Sequence, residues 1–147
     1  MATDARKDPF RGYNFRLELE RTSVAGFSEC SGLNFTVDPV EYREGTDVPL
    51  HVRKLVGMPR FKENIKLARG MTNNLDLYHW YQAVLDGDHD VYRSGAVVLQ
   101  NELHASVMRW EFSGAFPCGW RVSEFKAVSN DVVIETLEIC VERVELK

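Results

Sequence analysis

The chain has 147 residues, 18 of them Lys or Arg and 22 Asp or Glu, for a formal charge of −4. This length suits one domain, residues 1–147, able to bury about two-thirds of its unfolded surface without a disulfide. The acidic balance argues against a dedicated nucleic-acid binder.

Cys30, Cys118 and Cys140 are odd in number and far apart, matching neither a secreted disulfide framework nor a CxxC metal pair, so reduced cytosolic thiols are expected. The N-terminus has no apolar run for a signal peptide, and no window reaches the ~18 apolar residues of a membrane span. The expectation is a soluble protein made in the cytoplasm, without membrane anchoring.

Residues 1–12 are polar, contain Pro9 and Gly12, and read as a loose arm. Strict alternation then places Tyr13, Phe15, Leu17 and Leu19 on one face of a strand, with Asn14, Arg16, Glu18 and Glu20 on the other. AGFSECSGLNFTV alternates more loosely, and Pro39 predicts an edge, kink or bulge. VEYREGTDVPLHVRKLVGMPRF reads as an extended irregular loop, with Gly45, Pro49, Gly57 and Pro59 as turns. FKENIKL returns to alternation, with Phe61, Ile65 and Leu67 inward and Lys62, Asn64 and Lys66 outward.

One segment changes period. In TNNLDLYHWYQAVLDG, Leu77, Trp80, Tyr81, Val84 and Leu85 form one apolar stripe of a helix of about three turns. Thr72, Asn73 or Asn74 can cap its start, and Gly87 suits its C′ position. Strands resume in SGAVVLQNE and SVMRWEFSGAFP, where Met108, Trp110 and Phe112 oppose Arg109 and Glu111. In DVVIETLEICVERVEL, Leu137, Ile139 and Val141 point inward before the parity shifts to Val144 and Leu146, which predicts a bulge near Glu142 and Arg143. The fold class is mainly β: an antiparallel barrel or sandwich with one flanking helix.

Motifs for chemistry are near-misses. DGDHD spaces carboxylates like a calcium loop, but Val91 and Val97 stand where the loop needs Gly and Glu. GFSEC lacks the second glycine and the helix of a nucleophile elbow. His51, His79, His89 and His104 lack ligand spacing. No catalytic residue, metal or cofactor is nominated. For Phe35, Tyr42, Phe61, Trp110, Phe116 and Trp120, core packing outweighs a base-stacking platform.

The charge distribution is uneven. RKLVGMPRFKENIKLARG, residues 53–70, holds Arg53, Lys54, Arg60, Lys62, Lys66 and Arg69 against the single acid Glu63. In order, DPFRGYNFRLEL, VAGFSECSGL, VEYREG, this basic block, LDLYHWYQAVLDG, RWEFSGAFPCGW and NDVVIETLEI resemble the tail-tube family of contractile phage tails and related injection systems. The match runs from about Asp8 to Leu146. The resemblance implies a barrel-like subunit forming hexameric rings that stack into a hollow tube. Its partners would be other copies, an outer sheath, baseplate and tube-initiator proteins, and DNA or protein cargo in the lumen.

A stacked ring needs two complementary surfaces on each copy. The expected contact residues are Glu41, Arg43, Glu44, Arg53, Lys54, Leu55, Met58 and Phe61, with the apolar ones carrying most of the energy and charge setting register. Asp86 to Asp90 could supply acids. Strand parity makes Lys62, Asn64, Lys66, Arg109 and Glu111 candidate lumen residues. The alternative from another class is a monomeric β-barrel binding a small ligand or single-stranded nucleic acid through the basic strand.

Overall fold

The computed structural model describes residues 8–20, 26–60 and 63–147. Among them are nine strands and one helix. In chain order these are β1 (Phe15–Leu19), β2 (Glu29–Ser31), β3 (Thr36–Tyr42), β4 (Arg53–Arg60), β5 (Ile65–Gly70), α1 (Asp76–Leu85), β6 (Arg93–Gln100), β7 (Ser106–Val122), β8 (Ile134–Cys140) and β9 (Arg143–Leu146). All pairings are antiparallel. Seven strands form one sheet in the order β1-β6-β7-β8-β5-β2, with β9 also on β7, while β3 and β4 form a two-stranded sheet of their own.

The 17-residue β7 is the spine of the larger sheet: its first half pairs with β6 and β9, its second with β8. The expected bulge near Glu142 and Arg143 is instead a kink shared by two strands. Ile139 stands opposite Pro117 and Val144 opposite Phe112, so no residue is inserted between them. Both strands change face together at Gly114, whose φ of 63° suits glycine and where a Cβ would lie 2.5 Å from the Glu142 carboxylate. A parity slip read on one strand therefore reports a fold of the whole sheet.

This fold brings the two halves onto one core. Leu17, Leu19, Val97 and Phe112 come from the β1 side, and Ile65, Leu67, Leu137 and Ile139 from the β8 side. Helix α1 adds Leu77 and Trp80. The Trp80 indole donates to the Val91 carbonyl at 2.7 Å, so its one polar atom is satisfied inside. The helix stripe is narrower than expected: Tyr81 and Val84 are half-buried and Leu85 is 61% exposed, because the helix ends there. The N-cap position falls at Leu75, which makes no side-chain cap, although the Asn74 side chain accepts from the Asp76 amide at 3.0 Å. Gly87, at φ 79°, closes the C-terminus as predicted.

Trp110 is only half-buried and lies outside the core cluster. With Phe15, Cys30, Leu33 and Leu99 it lines a groove of about 440 Å³ between the edges β1 and β2. Phe35 and Tyr42 are exposed, against the core expectation, whereas Trp120 packs on the core beside Tyr78 at 5.0 Å between ring centres. Arg69 is also displaced from its expected setting in the basic surface. It is 4% exposed, and its Nε donates to Glu135, itself 1% exposed, at 2.7 Å. Its other arm holds the Asn74 carbonyl at the start of α1.

Candidate assembly surfaces

The segment read as an irregular loop is a β-hairpin. Six residue pairs join β3 and β4, from Thr36 opposite Arg60 to Tyr42 opposite Arg53, and residues 43–52 connect them. Gly57 and Pro59 lie within β4 rather than in turns. The register shifts between Val37 and Pro39, as Pro39 suggested, and Gly57 faces that irregularity so closely that a Cβ there would sit 1.9 Å from the Asp38 carbonyl oxygen. Glycine is the residue this approach admits.

The hairpin is apolar without being buried. Val56 is 90% exposed, Met58 78% and Leu55 49%, and Val40, Val48, Leu50 and Tyr42 are exposed as well. The register shift puts the extra residue in β4 between Val56 and Pro59, so alternation is interrupted between the exposed Val56 and Met58. Glu41 and Lys54 stand opposite each other across the pair. The expected contact charges divide into two groups: Glu41 and Lys54 remain on the strand surface, while Arg43, Glu44 and Arg53 order the connecting loop. Arg53 pairs with Asp47 at 2.7 Å, Arg43 donates to the Pro49 and Asp47 carbonyls, and the Glu44 amide donates to Asp47. Phe61 and Lys62 lie outside the described residues.

The polar faces of the larger sheet hold the remaining predicted residues, in two separate places. On the β1 side, Arg109 bridges Glu18 at 2.6 Å and Glu111 at 2.9 Å, Arg16 joins Glu18 at 2.9 Å, and Lys147 extends the chain of charges to Glu145. The hydrogen bonds Arg109 donates to Glu18 and then to Glu111 raise its pKa above its ordinary value. Ala96 and Val98 lie fully buried beneath these long side chains, because Glu18 and Glu111 flank Ala96 while Arg16 and Arg109 flank Val98. This roof was not legible in strand parity, which counts residues along one strand rather than across three.

On the β8 side, Lys66 faces Glu138, and Glu138 pairs with Arg121 at 2.6 Å and accepts from Asn64 at 3.0 Å. The Asn64 hydrogen bond, ahead of Arg121 and Lys66, holds the Glu138 carboxyl below its usual range. Asn64 and Lys66 thus belong together, as do Arg109 and Glu111, but the two sets occupy different faces.

Ser28 of the GFSEC near-motif donates to the Ala68 carbonyl at 3.1 Å, an ordinary use of a hydroxyl beside an edge strand. Among the described residues no group of three or more His, Cys, Asp or Glu side chains could hold a metal. No helix among them is long and apolar enough to cross a membrane.

Residues 11–145 match the family described as T4-like virus tail tube protein gp19. The chain belongs to that family. No curated protein gives a significant match. Among solved structures, this tail tube chain is similar to one in the sheath-tube complex of the extracellular contractile injection system PVC in its extended state. There the identity is 25% and the TM-score 0.82, over 95% of this chain and 91% of that one. A chain of the six-fold symmetrised anti-feeding prophage (AFP) baseplate has the same fold at 24% identity and TM-score 0.85, covering 97% of each. Hcp1 from Flavobacterium johnsoniae is more distant, at 15% identity and TM-score 0.55 over 90% of this chain and 93% of that one. The chain is therefore a structural tube subunit of a phage tail or contractile injection particle.

Proposed function

We propose that this tail tube subunit forms six-fold rings that stack into a hollow conduit, with the β3–β4 hairpin as the contact between neighbouring copies. The observation that carries this reading is the hairpin itself. A two-stranded sheet is marginal in water on its own, and this one exposes Val56, Met58 and Leu55. Seating the hairpin against neighbouring copies would remove this apolar surface from water and complete the hairpin's support. Glu41 and Lys54 would set the register, with Arg43, Glu44 and Arg53 holding the loop in shape for the contact.

Ring closure would cover the edges β1, β9 and β2, which end the larger sheet and present unpaired backbone groups. One polar face, carrying either Asn64 and Lys66 or Arg109 and Glu111, would then line the passage. The tube would be assembled in the cytoplasm from an initiator at a baseplate, inside a contractile sheath, and would pass DNA or protein cargo. It would act without a cofactor, its work being mechanical. The six-fold symmetry of the AFP baseplate and the sheath-tube organisation of the PVC particle support this arrangement by analogy of fold.

The test is sedimentation with negative-stain imaging of the purified chain at rising concentration. Rings or tubes are expected. Persistent monomers that bind a small ligand or single-stranded nucleic acid would replace this reading with the monomeric barrel.

A further inference from the structure

Two of the three cysteines, 22 positions apart in sequence, converge on one point of the sheet. The β7–β8 register shifts between Pro117 and Gly119, so Cys118 is the extra residue of a bulge while Cys140 pairs with Phe116 on the same side. The Asn64 side-chain amide bridges the two sulfurs. Its Nδ2 donates to Cys118 Sγ at 3.5 Å and its Oδ1 accepts from Cys140 Sγ at 3.4 Å. Cys118 also donates to the Glu138 carbonyl at 3.5 Å. Cys118 is exposed and Cys140 half-buried, so a small reagent can reach the pair from outside. Cys30 is on β2, separated from β8 by β5.

We propose that Cys118 and Cys140 form a redox-active dithiol that closes to an intrachain disulfide across β7 and β8 when the protein meets a low-molecular-weight disulfide oxidant. Both sulfurs lie within 3.5 Å of the one Asn64 side chain, and closing to a bond of about 2.05 Å would break that bridge. In the first step one cysteine thiolate attacks the oxidant, giving a mixed disulfide and releasing one small thiol. The second thiolate then attacks the protein sulfur of that mixed disulfide and releases the second small thiol. Two S–H bonds are lost and one protein S–S bond is gained, while the oxidant's S–S bond is reduced to two thiols.

Burial, then the Cys140 contact, pushes the Cys118 thiol up to about 12. At neutral pH the thiolate is scarce, so closure is slow. Closure accelerates about tenfold per pH unit while the attacking thiol is mostly protonated. A cross-link over the kinked spine of the sheet would suit a subunit of a particle released from the cell, and it can form in the isolated chain as well as in a tube.

The experiment treats the purified full chain with oxidised glutathione at neutral and alkaline pH, then counts thiols after denaturation and maps peptides without reductant. The expected result is a mass loss of two hydrogens, a fall from three thiols to one, a peptide pair joining Cys118 to Cys140, faster closure at alkaline pH, and reversal by dithiothreitol. Cys140→Ser should abolish the cross-link and leave at most a glutathione adduct on Cys118. Three surviving thiols, adducts without closure, a link to Cys30 or links only between chains would each overturn the assignment. Circular dichroism of Cys140→Ser checks that the variant is folded, and the wild-type peptide map decides the matter even if it is not.

Discussion

Replacing Val56 and Met58 together by Ser separates assembly from folding. Both side chains are almost wholly exposed in the subunit, at 90% and 78%, so their loss should alter folding stability by no more than about 0.5 kcal/mol. Seated against another copy, a Val or Met side chain gains about 1.5–3 kcal/mol from burial, or about 3–6 kcal/mol for the two. At 1.4 kcal/mol per decade, each contact would weaken by about 10²–10⁴-fold. A ring makes this contact at every copy, so the loss multiplies and tubes should vanish at concentrations where the wild type polymerises. The assay is sedimentation and negative stain alongside thermal unfolding followed by circular dichroism. Tubes forming with wild-type efficiency would refute the reasoning, because the hairpin would then not be the contact between copies.

Four further outcomes follow from the same geometry. Gly57→Val should disrupt the β3–β4 pairing, since the added Cβ would meet the Asp38 carbonyl at 1.9 Å; amide hydrogen exchange in the hairpin should rise while that of β7 and β8 stays unchanged. Trp80→Ala should cost about 3–5 kcal/mol in denaturant unfolding, and the half-buried Trp110→Ala distinctly less. Arg69→Met should cost about 3–5 kcal/mol by leaving Glu135 charged and alone, and adding Glu135→Leu should recover most of it in a double-mutant cycle. The folded Glu138 carboxyl is held below its ordinary pKa of 4.5, so it adds stability above that pH and loses it as pH falls through the folded value. Asn64→Ala should therefore flatten the acid limb of a stability–pH curve, and an unchanged limb would remove Asn64 as the cause.

The sequence shows the parts of this fold whose signals are local. Leu17 and Leu19 on β1, Ile65 and Leu67 on β5, and Leu77 and Trp80 on α1 face the core as their periodicity requires. The hairpin was hidden by its own composition. Gly57 and Pro59 ordinarily mark turns, yet here one admits the close approach of β3 and the other sits in a strand of a two-stranded sheet, where proline is tolerated. Leu85 matches the apolar period but falls where the helix ends, and Trp110, paired on both sides within β7, faces the groove between the edges β1 and β2.

The charged residues were the least legible. Arg69 looks like part of a basic surface until Glu135, 66 positions away, is placed beside it. Arg53 looks available to a partner until Asp47 closes on it within the loop. The charge roof over Ala96 and Val98 and the convergence of Cys118 with Cys140 likewise depend on which strands are neighbours. That long-range pairing is written in no short window of sequence.

The most direct test of the central claim is cryo-EM of the assembled protein at a resolution that traces the chain. Stacked six-fold rings around an open lumen are expected, with residues 36–60 reaching a neighbouring copy and Val56 and Met58 buried between copies. A tube whose rings meet elsewhere, with the β3–β4 hairpin in solvent, would contradict it.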